Sequence, residues 1–211
     1  EYALCFHLEK EGMIQNMKLS QASGKAQQLI VMAGSCSPTT HQQILWAIDY
    51  GFEDIRIEST ALIDPDRQEQ ETQRLFSQAF AGLQEGKNVM LFSAMGPDDP
   101  AIEKTNQKIK ELQLGEQQAG EVLGQRQGMI LKQLLLENKN TRVVVAGGDT
   151  SGQVARELGI YALEVLIPVA PGAPLCIAHS KDPQFDGLEI SLKGGQCGSP
   201  NYFEAILLGE I

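Results

Sequence analysis

The sequence predicts the α/β class: a single three-layer domain with a largely parallel central sheet and glycine-rich loops at the ends of its strands. Three observations lead there. Short apolar runs alternate with helix-forming stretches along the chain, the signature of strand-helix-strand units. Three of these runs empty into glycine-rich turns, at Gly34, Gly147-Gly148 and Gly194-Gly195. No solenoid-period repeat and no low-complexity tract interrupts the alternation.

Along the chain, Tyr2-Ala-Leu-Cys-Phe6 has the composition of a short strand, and Lys18 to Lys25 reads as an irregular connector. Residues 1–27 are therefore expected to be a leader or connector, and residues 28–211 the folded domain. Gln28 to Ala33 is a strand, ended by Gly34-Ser-Cys-Ser-Pro38. Ser37 is placed to cap a helix with Pro38 at its first position, and Ile44, Leu45 and Ile48 continue it to Gly51. Asp54 to Glu58 alternates polar and apolar, as a half-exposed strand near a sheet edge does. Thr60 to Asp66 reads as loop, Arg67 to Leu83 as a helix that Gly86 stops, and Asn88 to Phe92 as a strand. Met95 to Pro100 forms a rigid turn in which Asp98 and Asp99 can serve the turn or meet a metal. Ala101 to Asn138 splits into two helices at Leu114-Gly115, with Gly120, Gly124 and Gly128 diluting the second.

The central motif is Thr141-Arg-Val-Val-Val-Ala-Gly-Gly-Asp-Thr-Ser-Gly152. Its valines stiffen a strand, and its glycines permit a turn that side chains would forbid. Asp149, Thr150 or Ser151 can then cap a helix running through Leu158. A helix start of this kind exposes N–H groups and the positive end of the helix dipole, which together favour a phosphate. Beyond it, Ala162 to Ile167 is a strand and Pro168 to Pro174 a stiff loop. Leu175 to Ala178 and Leu188 to Leu192 close the sheet as a pair. Lys193-Gly-Gly-Gln-Cys-Gly198 is the third glycine turn, and Ser199-Pro200 opens a last helix through Leu207.

Charge and composition narrow the function. A net charge of −10 provides no general positive field, so neither nucleic acid nor an anionic membrane is expected as a partner. No apolar run approaches the roughly 20 residues that a membrane-spanning helix needs. Cys5, Cys36, Cys176 and Cys197, with His7, His41 and His179, show no zinc-ligand spacing, so thiols kept reduced in a cytoplasmic protein are expected and no metal ligands are assigned. The dinucleotide fingerprint fails because Asp149 stands where its second glycine belongs. The P-loop pattern and the Gly-x-Ser-x-Gly elbow are also missing. What remains is a phosphate cradle made mainly of backbone, with Lys193 as the cation placed nearest it and Arg156 further along the helix.

At these loops the chain resembles the C-terminal nucleotide-binding domain of the four-carbon acid sugar kinases. The resemblance rests on Gly34-Ser-Cys-Ser-Pro-Thr-Thr-x-Gln-Gln-Ile44, Ala146-Gly-Gly-Asp-Thr-Ser-Gly152 with Leu158-Gly-Ile160, Pro171-Gly-Ala-Pro174, and Leu192-Lys-Gly-Gly-x-x-Gly198 with Phe203. It covers Gln28 to Leu208. Gly194 stands where that family has serine, and Gln196-Cys197 where it has Asn-Phe. The resemblance implies ATP-dependent phosphorylation of a tetronate or 3-oxo-tetronate, with ATP and Mg²⁺ as cofactors and a homodimer permitted. It implies that Ser35 meets ATP, that Gly147, Gly148, Asp149 and Thr150 wrap its phosphates, and that Gly195 approaches it. The sugar acid is then expected on an N-terminal substrate domain missing from this sequence, so that the isolated chain is inactive and no catalytic base is assigned. Two other readings stand beside it. One is an NAD-binding Rossmann-like oxidoreductase domain with Glu58 toward the ribose, and the other a non-catalytic ligand-binding module.

Overall fold

Leu29 to Ala33 and Thr141 to Ala146 carry apolar side chains on both of their alternating faces, so each strand must be covered twice. The computed structural model, which describes residues 2–13, 22–139 and 141–210, places them side by side at the centre of the sheet as β1 (Gln28–Ala33) and β4 (Thr141–Ala146). Ile30, Met32, Val143 and Val145 point to one face, where α4 (Gln68–Gln84), α6 (Glu116–Glu137) and α7 (Gly148–Glu157) bring Leu75, Leu131, Leu134 and Val154. Leu29, Val31, Val144 and Ala146 point to the other, where α2 (Pro38–Asp49) and α8 (Tyr202–Leu208) bring Ile44, Ala47, Phe203 and Ile206. Each of these fully buried aliphatic side chains contributes roughly 1.5–3 kcal/mol. The result is the three-layer α/β domain.

Among the described residues, seven strands form one sheet in the order β2-β3-β1-β4-β7-β6-β5. β2 (Glu53–Arg56), β3 (Val89–Phe92), β1, β4 and β7 (Glu189–Lys193) are parallel neighbours. β5 (Ile160–Ala170) and β6 (Ala173–Ser180) complete the sheet as an antiparallel hairpin against β7. The alternating Asp54 segment does form an edge strand. Buried Arg142 ties the far ends of these elements together, meeting the Glu189 carboxylate and donating to Ile206 O at 2.5 Å and to Gly24 O at 3.2 Å.

Several elements differ from the sequence reading. Tyr2–Phe6, expected as a strand, lies in a helix, α1 (Tyr2–Lys10), whose last turn carries His7 and Lys10 where cations suit the helix dipole. The connector expected at Lys18–Lys25 lies partly outside the described residues. In the expected loop after Thr60, a short helix α3 (Ser59–Leu62) forms because Ala61 and Leu62 are drawn into the core. The stiff loop Pro168–Pro174 is mostly strand. β5 is the outermost strand, where a proline's missing N–H costs no ladder bond, and the turn is confined to Pro171 and Gly172. α8 starts at Tyr202, with Asn201 as its N-cap, rather than at Ser199-Pro200, where Ser199 Oγ bonds Asn201 Oδ1 at 2.7 Å within a turn.

The split at Leu114-Gly115 is as expected, between α5 (Pro100–Glu111) and α6. Asp99 serves as the cap of α5: its carboxylate accepts from Ala101 N at 2.9 Å, Met95 N at 2.6 Å and Arg56 Nη2 at 2.6 Å. Burial pushes the Asp99 carboxyl up, but the two backbone donors and the Arg56 guanidinium outweigh it and hold the group at about 2. The folded pKa is thus below the unfolded value of about 3.9, so the stability is present above pH ~4 and is lost as pH falls toward 2. Asp99→Asn is expected to lower stability at pH 7 by about 1–3 kcal/mol. In urea unfolding, the gap to the parent protein should close as the pH falls from 4 to 2.

Candidate nucleotide site

β1 connects leftward through α2 to β2, whereas β4 connects rightward through α7 to β5, so the crevice between the carboxyl ends of β1 and β4 is the switch point of the sheet. Open α/β sheets take their ligands at this place. Three loops converge on it. Gly34 N and Ser35 N both donate to Ala146 O, at 2.9 and 3.1 Å, and Gly147 N donates to Lys193 O at 2.9 Å. The ends of β1, β4 and β7 are thereby stitched into one rim.

The start of α7 is the electrostatic feature of that rim. Gly147 adopts φ +126°, which an L side chain rarely takes, and it is the helix N-cap without any side-chain cap. Asp149, Thr150 and Ser151, expected as candidate caps, lie inside the first turn instead. The φ of Gly147 starts the helix two residues earlier than a side-chain cap would. The first N–H groups of α7 are consequently left for an outside acceptor. Gly148 is exposed, with no atom within 4 Å of where its Cβ would stand.

The neighbouring loops close around this point. A Cβ on Gly34 would run into Thr150 Oγ1, and one on Gly195 into Ser35 Oγ. Ser37 Oγ and Thr40 Oγ1 donate to Gly195 O at 2.5 and 3.0 Å, while Ser37 also caps α2 through Thr40 N, as the sequence predicts. Ser35, Gly147, Gly148, Asp149, Thr150 and Gly195 therefore share one rim. Glu58 lies elsewhere, after β2, lining a separate cleft with Arg56 and Lys104. Arg156 is exposed and lines a groove along α7 with Gly148 and Asp149.

A cleft of about 520 Å³ opens from the rim between α5 and α6. Gly34, Asp149 and Thr150 form the end nearest the rim, and Ile102, Ile109 and Leu123 give it apolar walls. Gln127, on its floor, is buried and donates to Ser93 Oγ at 3.0 Å. The sequence reading missed Gln127 and Ser93. A usable signal existed in Gly120, Gly124 and Gly128, spaced four apart along one face of α6. Cβ atoms at Gly124 and Gly128 would crowd Gln153 and Glu157 of α7, so these glycines allow the two helices to approach.

Comparison with known proteins assigns this arrangement. The family described as "Nucleotide-binding C-terminal domain" matches residues 30–203. The chain belongs to this family. The nucleotide-binding domain is 37% identical over its whole length to a 3-oxo-isoapionate kinase of Paraburkholderia graminis, covering 45% of that protein. It is 31% identical over 84% of its length to a 3-oxo-tetronate kinase of Cupriavidus necator, covering 37% of it. The chain thus spans less than half the length of these curated relatives. A solved Haemophilus influenzae protein shares the fold, with a TM-score of 0.68 at 22% identity over 95% of this chain and 44% of that one. Among the described residues, no helix is long and apolar enough to cross a membrane, and no group of three or more His, Cys, Asp or Glu is placed to hold a metal.

The contact between Gly34 and Thr150 gives a direct test of the rim. Gly34→Ala is expected to destabilise the nucleotide-binding domain by about 1–3 kcal/mol through overpacking. In a Thr150→Ala background, chemical denaturation should show most of that cost removed, because the obstructing Oγ1 is gone.

Proposed function

We propose that this domain holds ATP for a kinase acting on a four-carbon sugar acid of the tetronate or 3-oxo-tetronate type. The observation that carries the reading is the uncapped start of α7 at the β1/β4 switch point, closed on either side by glycines that leave no room for a Cβ. The names of the Paraburkholderia and Cupriavidus relatives support both the phosphoryl transfer and a 3-oxo acid as acceptor. They also favour the kinase over the dinucleotide oxidoreductase and over a non-catalytic module.

In this reading the N–H groups of Gly148, Asp149 and Thr150 bind the phosphates, where the dipole of α7 adds to the attraction. Ser35 and Gly195 bound the other side of the nucleotide, and the cleft between α5 and α6 takes the rest of it away from solvent. Asp149 is the carboxylate of the first turn and would hold Mg²⁺. When bound, ATP and Mg²⁺ supply the transferable phosphoryl group and offset its charge. Asp149 beside a bare polyphosphate would repel it, and beside a metal-bound one would steady it, so the site fits the Mg²⁺ form of the nucleotide. We further propose that residues 1–27 lead in from a substrate domain that carries the sugar acid and the base for its hydroxyl. That arrangement matches the share of the relatives' length that this chain covers. The cytoplasm, where ATP is available, is the proposed location.

Titration calorimetry with Mg-ATP, Mg-ADP and NAD tests the reading. Mg-ATP and Mg-ADP are expected to bind and NAD is not. Gly148→Val is expected to keep the fold, since open space surrounds that position, and to weaken Mg-ADP binding by shielding the first N–H groups. Unchanged affinity in the valine variant would remove α7 from the site.

A further inference from the structure

Lys193 ends β7 at the point where the third glycine loop begins, and its carbonyl is the one that Gly147 N donates to. Its side chain is 1% exposed, and Nζ has no hydrogen-bond partner. The nearest compensation is the Tyr202 ring, whose centroid lies 5.9 Å away, at the outer limit of a cation–π contact. The Tyr202 hydroxyl is already engaged, by Ser191 Oγ at 2.5 Å and Ala173 O at 2.9 Å. A lone ammonium in such surroundings costs several kcal/mol. A packing role would be filled as well by methionine, so packing leaves the charge unexplained.

Lys193 opens the loop that forms one wall of the nucleotide rim. Gly194 and Gly195 follow directly, and burial pushes the Lys193 ammonium down to about 8. Gln43 Nε2 holds that loop through Cys197 O and Ser199 O, both at 3.0 Å, and Ser37 and Thr40 hold Gly195 O. The unpartnered ammonium therefore belongs to the residue at which this loop begins, and the fixed points of the loop are also those of the rim. The domain is strongly acidic, and the other cations around the strand ends are committed or distant: Arg56 is paired with Asp99, and Arg156 is in the last turn of α7.

We propose that Lys193 is the cation that binds the nucleotide phosphates, gaining through the glycine loop the partner it lacks in the unliganded domain. This inference rests on the nucleotide reading of the site and adds to it a residue with a distinct signature. Phosphate binding gives the ammonium charge-assisted hydrogen bonds, while adenosine, without phosphates, gives it nothing. The glycines at 194 and 195 fit this role, since neither adds a side chain between Lys193 and the rim.

Lys193→Met separates the charge from the packing. With the unpaired charge removed, the thermal midpoint of the unliganded variant is expected to hold or rise. Its dissociation constant for Mg-ADP should increase about tenfold to hundredfold, and that for adenosine should stay at the parent's value. Mg-ADP bound as tightly as by the parent overturns the proposal. So does equal weakening of adenosine and Mg-ADP, which would mean that Lys193 acts through the shape of the loop. Should methionine disturb folding, Lys193→Gln provides the same comparison between the two ligands. A parent protein that binds neither adenosine nor Mg-ADP would reject the nucleotide reading itself, and this inference with it.

Discussion

The structure depends on the carbonyl of Ala146. As the last residue of β4, it would ordinarily pass its hydrogen bond to the next residue in the neighbouring strand, but it accepts from both Gly34 N and Ser35 N. That double bond to one acceptor bends the end of β1 across the end of β4 just where the chain must turn into α7. Gly147 completes the turn at a positive φ and anchors itself on Lys193 O. The cradle is thus a consequence of how three parallel strands terminate. It needs small residues because the loops approach closely there: a Cβ at Gly34 would meet Thr150 Oγ1, and one at Gly195 would meet Ser35 Oγ.

A site built from main chain also resolves an electrostatic conflict. With a net charge of −10, the domain repels polyphosphate at long range. Backbone N–H groups and a helix dipole act within a few ångströms and are little affected by the charge of the distant surface. The acidic chain can hold an anion if the attraction is local and the anion arrives with its own counter-charge, as a nucleotide in the proposed Mg²⁺ form would. The placement of Asp149 in the first turn of α7 follows the same logic: a carboxylate is favourable at a helix N-terminus, and it need not oppose a ligand that is metal-bound.

Much of this was legible in the sequence because the signals are local. Continuous apolar runs marked β1, β3 and β4 as strands covered on both faces, and the alternation in Asp54 to Glu58 marked an edge. Ser37-Pro38 marked the start of α2. The three glycine turns named the loops that meet at the switch point. What was not legible depends on partners far away in sequence. The prolines at 168 and 174 read as loop; Pro168 is compatible with a strand because β5 is at the edge, and Pro174 because it stands at the start of β6, before the pairing with β7 at Cys176. The cap of α7 was read two to four residues late, because side-chain capping rules do not anticipate a glycine cap at positive φ. The cleft floor of Gln127 and Ser93 joins α6 to the end of β3 and has no expression in local pattern.

The third glycine loop shows why departures from a family pattern need not abolish a loop's geometry. Gly194 replaces an expected serine, and Gln196-Cys197 an expected Asn-Phe, so side-chain identity changes at three successive kinds of contact. The position of the loop is nonetheless fixed by its main chain. Gly195 O is held by two hydroxyls from α2, and the carbonyls of Cys197 and Ser199 by one glutamine amide from the same helix. These acceptors exist whatever side chains stand at 194, 196 and 197. The constraint that the fold enforces is the absence of a Cβ at 195, where one would meet Ser35 Oγ, and this sequence keeps glycine there. Substitution along the loop therefore alters what surrounds a ligand, while the approach of its backbone to the start of α2 and to the β1 turn is retained.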